Sequence, residues 1–476
     1  MLTVHLPVGL WITVALATMS APAATAKTQD EEIAALRAEV KALRELVNEL
    51  IEAQRSDPQS DSDTTLADEF IAVPSDKAVA SNEATKTNQA DDSDATDPIA
   101  TRQPLGRFPD DAFVTAGQFD RSIGIPRTNG AFRIGGAVQV NANFDTDNLG
   151  FQQIGTPPTI PLDGSVDDGE QQSAIHVRHS RVNFDYRAPT EYGEFRTFVE
   201  FDFFGDGDEF TNDFDLRLRH AAAEWGPWKI GQFWSGFVDV FSFPETADPG
   251  GPLAAPVLRN PGIYYVRGEQ GQSNWGLGLE NPAADLGGRT DLIASEQIPN
   301  VVAFSKIQRD WGYIRIAALG LQLKSDEDSD YTGGVHVSGR VNTPFTGSDR
   351  NNLSFATQFG EGFVHYFSSF VGELDGNIAD SGEVEATGIF GAFLGYQHFW
   401  TERWRSTVTA SVFDLDTPDG ALPLSYASGE RFSANLFYTA NENVTFGLEG
   451  IYNSLETVDN STGDGVRIEF VGRYDF

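Results

Sequence analysis

The chain closes on Val466-Arg-Ile-Glu-Phe-Val-Gly-Arg-Tyr-Asp-Phe476. Val466, Ile468, Phe470, Tyr474 and Phe476 fall on one face of a period-two pattern, and Arg467, Glu469, Arg473 and Asp475 on the other. A period of two is a strand, because successive side chains leave opposite faces of a pleated backbone. The same period runs back to residue 131. Phe132, Ile134, Val138, Val140, Ala142 and Phe144 share a face opposite Arg133, Gln139, Asn141, Asn143 and Asp145, and Phe195 to Phe203 repeats the alternation.

Alternation alone also fits a soluble sandwich. Three features favour a membrane barrel. The segments run to about ten residues, the length a tilted strand needs to cross a bilayer. Aromatics recur at segment ends, as at Trp225, Trp228, Trp311, Tyr313, Trp400 and Trp404, where interfacial girdles belong. The last residue is an aromatic, and Tyr474 and Phe476 form an expected assembly signal on the lipid side of the final strand.

A closed single-chain barrel has an even strand number and alternates short turns with long loops. Short turns are expected at 188–192, 226–227, 268–272, 309–312, 399–403 and 439–443. Long connections are expected at 146–172, 205–213, 235–258, 281–298, 414–429 and 455–463. A plain count gives about seventeen segments, which breaks the parity rule. Assigning Phe363 to Phe370 to an outer loop spanning 360–384 restores it. The fold class is therefore all-β, a transmembrane antiparallel barrel of about sixteen strands over 131–476, a size that leaves an aqueous channel.

The remainder of the 476 residues reads differently. Leu6 to Leu16 is an apolar run followed by Ala24, Thr25 and Ala26, a leader pattern over 1–26 whose start carries His5 but no Lys or Arg. Ile33, Val40 and Val47 at a, with Leu36, Leu43 and Leu50 at d, predict a periplasmic coiled-coil helix over 27–55. β-branched a positions favour dimers, whereas Leu46 and Ile51 widen the stripe as three helices would need. Residues 56–110 form an acidic linker with too little apolar surface to order itself, and 111–130 lead into the barrel.

Composition sets limits. There is no cysteine, hence no disulfide or thiolate chemistry. The net charge of −37 argues against nucleic-acid partners, which need clustered cations. Mean hydropathy of −0.30 does not suggest a helical membrane protein. No nucleophile with base and orienter, P-loop or Rossmann fingerprint is present, so no enzyme and no cofactor is expected. The acids Asp206, Asp208, Glu209 and Asp213, and the pair His176 and His179, are weighed as metal ligands and set aside, the first as a solvated loop and the second for want of a third ligand.

If apolar positions face lipid, their alternates face the lumen. Parity then places Arg133, Arg181, Arg196, Arg217, Arg219, Arg340, Arg405 and Arg467 inside, with Arg267 and Arg315 less clearly assigned. Arginine rings select anions, and the guanidinium fork grips carboxylates in two places. Arg196, Arg217 and Arg219 are the expected centre of the path. The competing reading pairs these arginines with Asp185, Glu200, Asp202, Glu449 or Glu469. The loop after Trp234 carries Asp239, Glu245 and Asp248, and either folds inward as a constriction facing the arginines or caps the mouth.

Several ordered motifs resemble the DcaP-like outer-membrane porins. These are Arg178-His-Ser-Arg-Val-Asn-Phe-Asp-Tyr-Arg-Ala-Pro-Thr-Glu-Tyr-Gly193, Phe201-Asp-Phe-Phe-Gly205, Leu216-Arg-Leu-Arg-His220, Gly231-Gln-Phe-Trp-Ser235, Pro244-Glu-Thr-Ala-Asp-Pro-Gly-Gly251, and Ile125-Pro126 ahead of Phe132-Arg-Ile-Gly-Gly136. The resemblance is strongest over residues 120–280. It implies a homotrimeric outer-membrane porin favouring small anionic solutes such as dicarboxylates, in contact with lipid, lipopolysaccharide and the barrel-assembly machinery. Phe233 departs from the family, which often has a smaller polar residue there. A structural anchor, whose coiled coil tethers a periplasmic partner, is the alternative.

Overall fold

The computed structural model of the chain describes residues 117–147, 153–154, 160–208, 212–268, 271–289, 296–367, 373–418 and 421–476. The expected leader, coiled coil and linker, along with Glu209, lie outside the described residues.

Among the described residues, sixteen antiparallel staves close into a barrel. In chain order they are β1 (Ala131–Asp145), β2 (delivered in two pieces, Gln172–His176 and Arg181–Thr190), β3 (Gly193–Asp202), β4 (Arg217–Trp225), β5 (Trp228–Trp234), β6 (Arg259–Arg267), β7 (Asn274–Glu280) and β8 (Asn300–Arg309). There follow β9 (Gly312–Lys324), β10 (Ser329–Asn342), β11 (Asn352–Glu361), β12 (Gly388–Phe399), β13 (Trp404–Asp416), β14 (Tyr426–Asn441), β15 (Val444–Thr457) and β16 (Thr462–Asp475). Each stave pairs with its sequence neighbour, and β16 closes on β1 from Ala137↔Asp475 to Asp145↔Arg467. Both pieces of β2 pair with β1, the break falling between His176 and Arg181.

The alternation sorts as expected. On β1, Ile134, Val138, Val140 and Phe144 are exposed while Gln139, Asn141, Asn143 and Asp145 are buried. An outside richer in hydrocarbon than the inside is stable only if the surrounding medium is itself apolar. Aromatics cluster at the short-turn end: Tyr192 meets Trp225 edge-on at 5.4 Å, Trp228 meets Tyr265 at 5.2 Å, and Trp404 lies 4.7 Å from Tyr438. In outer-membrane barrels that end faces the periplasm.

Phe363 to Phe367 belong to no stave. Val364–Tyr366 is a single 3-10 turn in the connection between β11 and β12, and Phe363 and Tyr366 are wholly buried inside the barrel. Two expected long connections are shorter than predicted, since β13 and β14 continue to Asp416 and from Tyr426, and β15 and β16 to Thr457 and from Thr462. The outer connection between β9 and β10 (325–328) was not anticipated because it is as short as a turn.

Gly231 of β5 shows why one glycine is needed. Its φ is 125°, and a Cβ there would clash with the carbonyl oxygen of Ala221 on β4. Gly231→Ala should destabilise the barrel by about 1–3 kcal/mol. The check is a lower temperature for conversion of the folded to the unfolded band on a gel.

Candidate lumenal site

The segment 235–258, between β5 and β6, turns into the barrel and fastens to the opposite wall. Asp239 caps the 3-10 turn Val240–Ser242 by accepting from Phe241 N–H at 3.3 Å. The other oxygen of Asp239 accepts from the Tyr313 hydroxyl at 3.1 Å and the Ser338 hydroxyl at 2.8 Å. Arg315 donates to the carbonyls of Gly236 and Phe237, and Arg340 to that of Phe243 at 2.9 Å. Glu245 receives Arg405 in a two-bond fork, each bond 2.6 Å.

The far end of the segment is held most tightly. Asp248 lies 3.3 Å from Arg431 and 3.7 Å from Arg467. The Asp248 N–H donates to Glu449 at 3.0 Å. Arg467 also forks onto Asp145 at 2.7 and 2.8 Å, and Asn141 donates to Glu469 at 2.6 Å. Every charged group in this network is almost completely buried. Burial at this level makes the pairing obligatory, because an unpartnered charge there costs several kcal/mol.

An apolar cluster fills the space behind the inserted segment. Phe237, Leu253 and Ala254 pack with Phe363, Tyr366 and Phe367 from the 362–387 connection and with Leu321 and Leu323 from β9. Glu280 organises its polar edge by accepting from Tyr366 at 2.9 Å and from Gly236 N–H at 3.0 Å. Outside the spanning staves, Glu373 accepts from Tyr426 N–H at 3.0 Å, and burial pushes its carboxyl up. Asp328 accepts from Val384 N–H at 3.0 Å and is held below the usual carboxylate range by such backbone bonds.

The wall formed by the second piece of β2, by β3 and by β4 carries the other arginines. Asp185 accepts two forks at once, from Arg187 (3.2 and 2.8 Å) and Arg196 (3.0 Å twice). Asp202 accepts a fork from Arg217 at 3.0 and 2.7 Å and a single bond from Arg219 at 2.7 Å, while Arg219 also reaches Glu200 at 2.8 Å. Arg217 stays 40 % exposed and Arg196 26 %, so these paired cations still face open lumen.

Arg133 and Arg181 border a cavity, Arg196, Arg217 and Arg219 pair with Asp185, Asp202 and Glu200, and Arg315, Arg340 and Arg405 bond to the inserted segment. Arg467 points inward but lines no open space, being fully buried beneath Asp248. Arg267 lies on the outer face, donating to the Tyr265 hydroxyl. Asp239, Glu245 and Asp248 do not oppose Arg196, Arg217 and Arg219; they are bonded to the wall they reach. Arg187 and Arg431 occupy the same inward positions of the alternation, as does Arg473 of the last stave. Arg121 lies ahead of the first stave, where no periodicity could mark it.

Phe233 buries its ring against Tyr264 at 5.4 Å, with the Lys229 ammonium 4.4 Å above it. His176 and His179 sit 5.3 Å apart, and among the described residues no group of three metal-ligating side chains forms.

Residues 114–280 match the family described as DcaP outer membrane protein, which bears out the resemblance read from the motifs. Among solved structures, the outer membrane channel DcaP of Acinetobacter baumannii aligns with a TM-score of 0.65 at 18% identity, covering 76% of this chain and 100% of that one. OmpF of Salmonella typhi in complex with daunomycin aligns at 0.49 and 11% identity, covering 74% and 99%. An anion-selective porin from Comamonas acidovorans aligns at 0.48 and 10% identity, covering 73% and 100%. No curated protein matches the sequence.

Proposed function

We propose that the chain is an outer-membrane porin, working as a homotrimer, through which small hydrophilic solutes diffuse and which favours anions such as dicarboxylates. The observation that carries this reading is the division of charge inside the barrel. The acids of the inserted segment are bonded to its own docking wall, whereas the opposite wall presents Arg187, Arg196 and Arg217, each partly open to the lumen. The net charge of −37 does not oppose this, because charge in tails and outer loops is screened within about 8 Å at physiological salt. Permeation is decided where walls are close and the dielectric is low.

The test is the zero-current potential across a planar bilayer in a salt gradient. The wild-type channel should prefer chloride to potassium. The triple variant Arg196→Ala/Arg217→Ala/Arg219→Ala should pass beyond neutrality to cation preference, because Asp185, Glu200 and Asp202 remain on the wall. A wild-type channel that prefers potassium overturns the reading.

A second reading has one observation in its favour. The inserted segment and the 362–387 connection bury a continuous apolar cluster within the barrel, as a plugged anchor would. A purified protein that inserts into bilayers and conducts no current would establish the anchor and remove the porin.

A further inference from the structure

The dock of the inserted segment holds more acid than base. Asp145 of β1, Asp248 of the segment, Glu449 of β15 and Glu469 of β16 are almost completely buried, as are Arg431 of β14 and Arg467 of β16. Arg467 forks onto Asp145 and lies 3.7 Å from Asp248 and 3.9 Å from Glu469, while Arg431 lies 3.3 Å from Asp248. Four carboxyl groups therefore meet two guanidinium groups, and guanidinium keeps its charge in proteins. With all four acids ionised, two negative charges would stand unbalanced in a closed site.

The excess falls on one pair. Glu449 and Glu469 sit directly opposite each other on neighbouring staves, a placement in which like charges repel. Glu449 accepts from the N–H groups of Ala247 and Asp248, and Glu469 from the Asn141 amide at 2.6 Å. The remaining oxygens, Oε1 of Glu449 and Oε2 of Glu469, are shielded from solvent and have no hydrogen-bond partner. Two carboxyl groups that share a closed site do not readily ionise together.

We propose that Glu449 and Glu469 together bind one proton, and that this proton holds the inserted segment in its dock, so that the segment is seated at low pH and released as pH rises. The proposal adds a pH-controlled opening to the porin reading, on which it rests only where conductance is the readout.

Two further groups at the dock are independent of the acids. His176 of β2, in the electrostatic field of Asp248 and Arg467, is buried with neither ring nitrogen hydrogen-bonded. Asn453 of β15, opposite Arg431, is wholly buried with neither amide atom hydrogen-bonded. Buried polar atoms are almost always bonded. Where unpaired acceptors adjoin surplus acids, one added proton supplies both a missing bond and a missing charge.

The direction follows from proton counting. The seated state holds one proton more than the released state, in which both glutamates meet water, so raising pH favours release. A difference of one proton shifts the balance by up to about 10⁴-fold across roughly four pH units, enough to carry a two-state element from about 99:1 to about 1:99. The segment is the part that moves, because Asp248 leaves with it and removes one surplus charge, whereas the other acids are fixed on staves.

The test reads single-channel conductance of the full-length protein in planar bilayers between about pH 5 and about pH 9, a range that brackets buried carboxyl groups. Wild-type conductance should rise roughly twofold or more with pH. Glu469→Gln is uncharged and keeps an oxygen for Asn141, so it should hold the low-pH conductance throughout. Glu449→Gln keeps an oxygen for Ala247 and Asp248 and should do the same, which preserves the test if one variant fails to fold. His176→Gln should retain the wild-type rise, and so should Glu373→Gln in the outer connection, whose carboxyl burial also pushes up. Heat-modifiable migration verifies folding. In parallel, hydrogen exchange of residues 235–258, corrected for the intrinsic rate, should quicken with pH in wild type and stay slow in the two glutamate variants. A wild-type segment equally protected at both pH extremes, or better protected at the higher one, overturns the proposal. So does a pH response that persists in both glutamate variants, or one that disappears in His176→Gln. A chloride-preferring channel with no pH response sinks the proton latch and leaves the porin reading intact. Absence of current at every pH sinks the porin reading, and hydrogen exchange still decides the latch.

Discussion

Arg467→Ala should destabilise the barrel by about 3–5 kcal/mol, the cost of breaking a buried ion pair, and should raise single-channel conductance. Arg467 is fully buried and forks onto Asp145, with Asp248 and Glu469 within 4 Å. Without it, Arg431 alone remains to balance Asp145, Asp248, Glu449 and Glu469 in a site closed to water. Relief comes most readily by releasing Asp248, because that residue sits on an inserted segment and the others on staves. Release frees the segment and widens the path. The check is the denaturation midpoint together with conductance. Arg467→Ala/Asp145→Asn should recover part of the lost stability, since the partner stripped of its fork is then neutral. Arg196→Ala, in a pair that stays 26 % exposed on the arginine side, should cost about 1 kcal/mol or less, as exposed pairs do. Equal midpoints for the two single variants would refute the role given to the buried network.

The second large effect concerns the last residue. Phe476 exchanges two backbone hydrogen bonds with Gly136, at 3.1 and 3.2 Å, and so completes the seam between the last stave and the first. Its ring is exposed on the outer side, as is that of Tyr474. Phe476→Asp puts a charge at that face of the seam. Most of the protein should be lost from the outer membrane, and the remainder recovered as periplasmic aggregate or degradation products. Quantitative blotting of membrane fractions measures this. Phe476→Trp should retain normal levels, because the requirement is an interfacial aromatic rather than phenylalanine itself. Normal levels of the aspartate variant would remove the assembly role from Tyr474 and Phe476.

Much of the fold was legible because period two carries a single piece of information, the face of each residue. That sufficed to place apolar residues outside, to count about sixteen staves, and to take Phe363 to Phe367 out of them by parity. It could not tell which inward charges meet. Pairing depends on register, and register here depends on an irregularity between Glu200 and Phe201 where β3 meets β4. Beyond that step Asp202 lies opposite Arg217, which makes the expected anion-path arginines paired ones. One residue of slip moves a side chain to the other face, and no pattern in the segment marks where the slip occurs. The destination of the inserted segment was equally hidden. Its acids were visible, but their partners lie on staves up to 219 residues away, as for Asp248 and Arg467.

The dock for Asp248 also fixes an order of events. Its partners Arg467 and Glu449 come from the end of the chain, and the network is completed by Asp145 and Asn141 from the first stave. The Arg467–Asp145 fork spans 322 positions. The early part of the chain cannot supply this receptor alone, so the segment around Asp248 must wait, unseated and open to proteolysis, until the first and last staves have met. Contacts of such separation form late because loop-closure entropy must be overcome before they stabilise anything. Resistance of the 235–258 segment to protease therefore reports a closed cylinder, and an incompletely zipped one remains cleavable there.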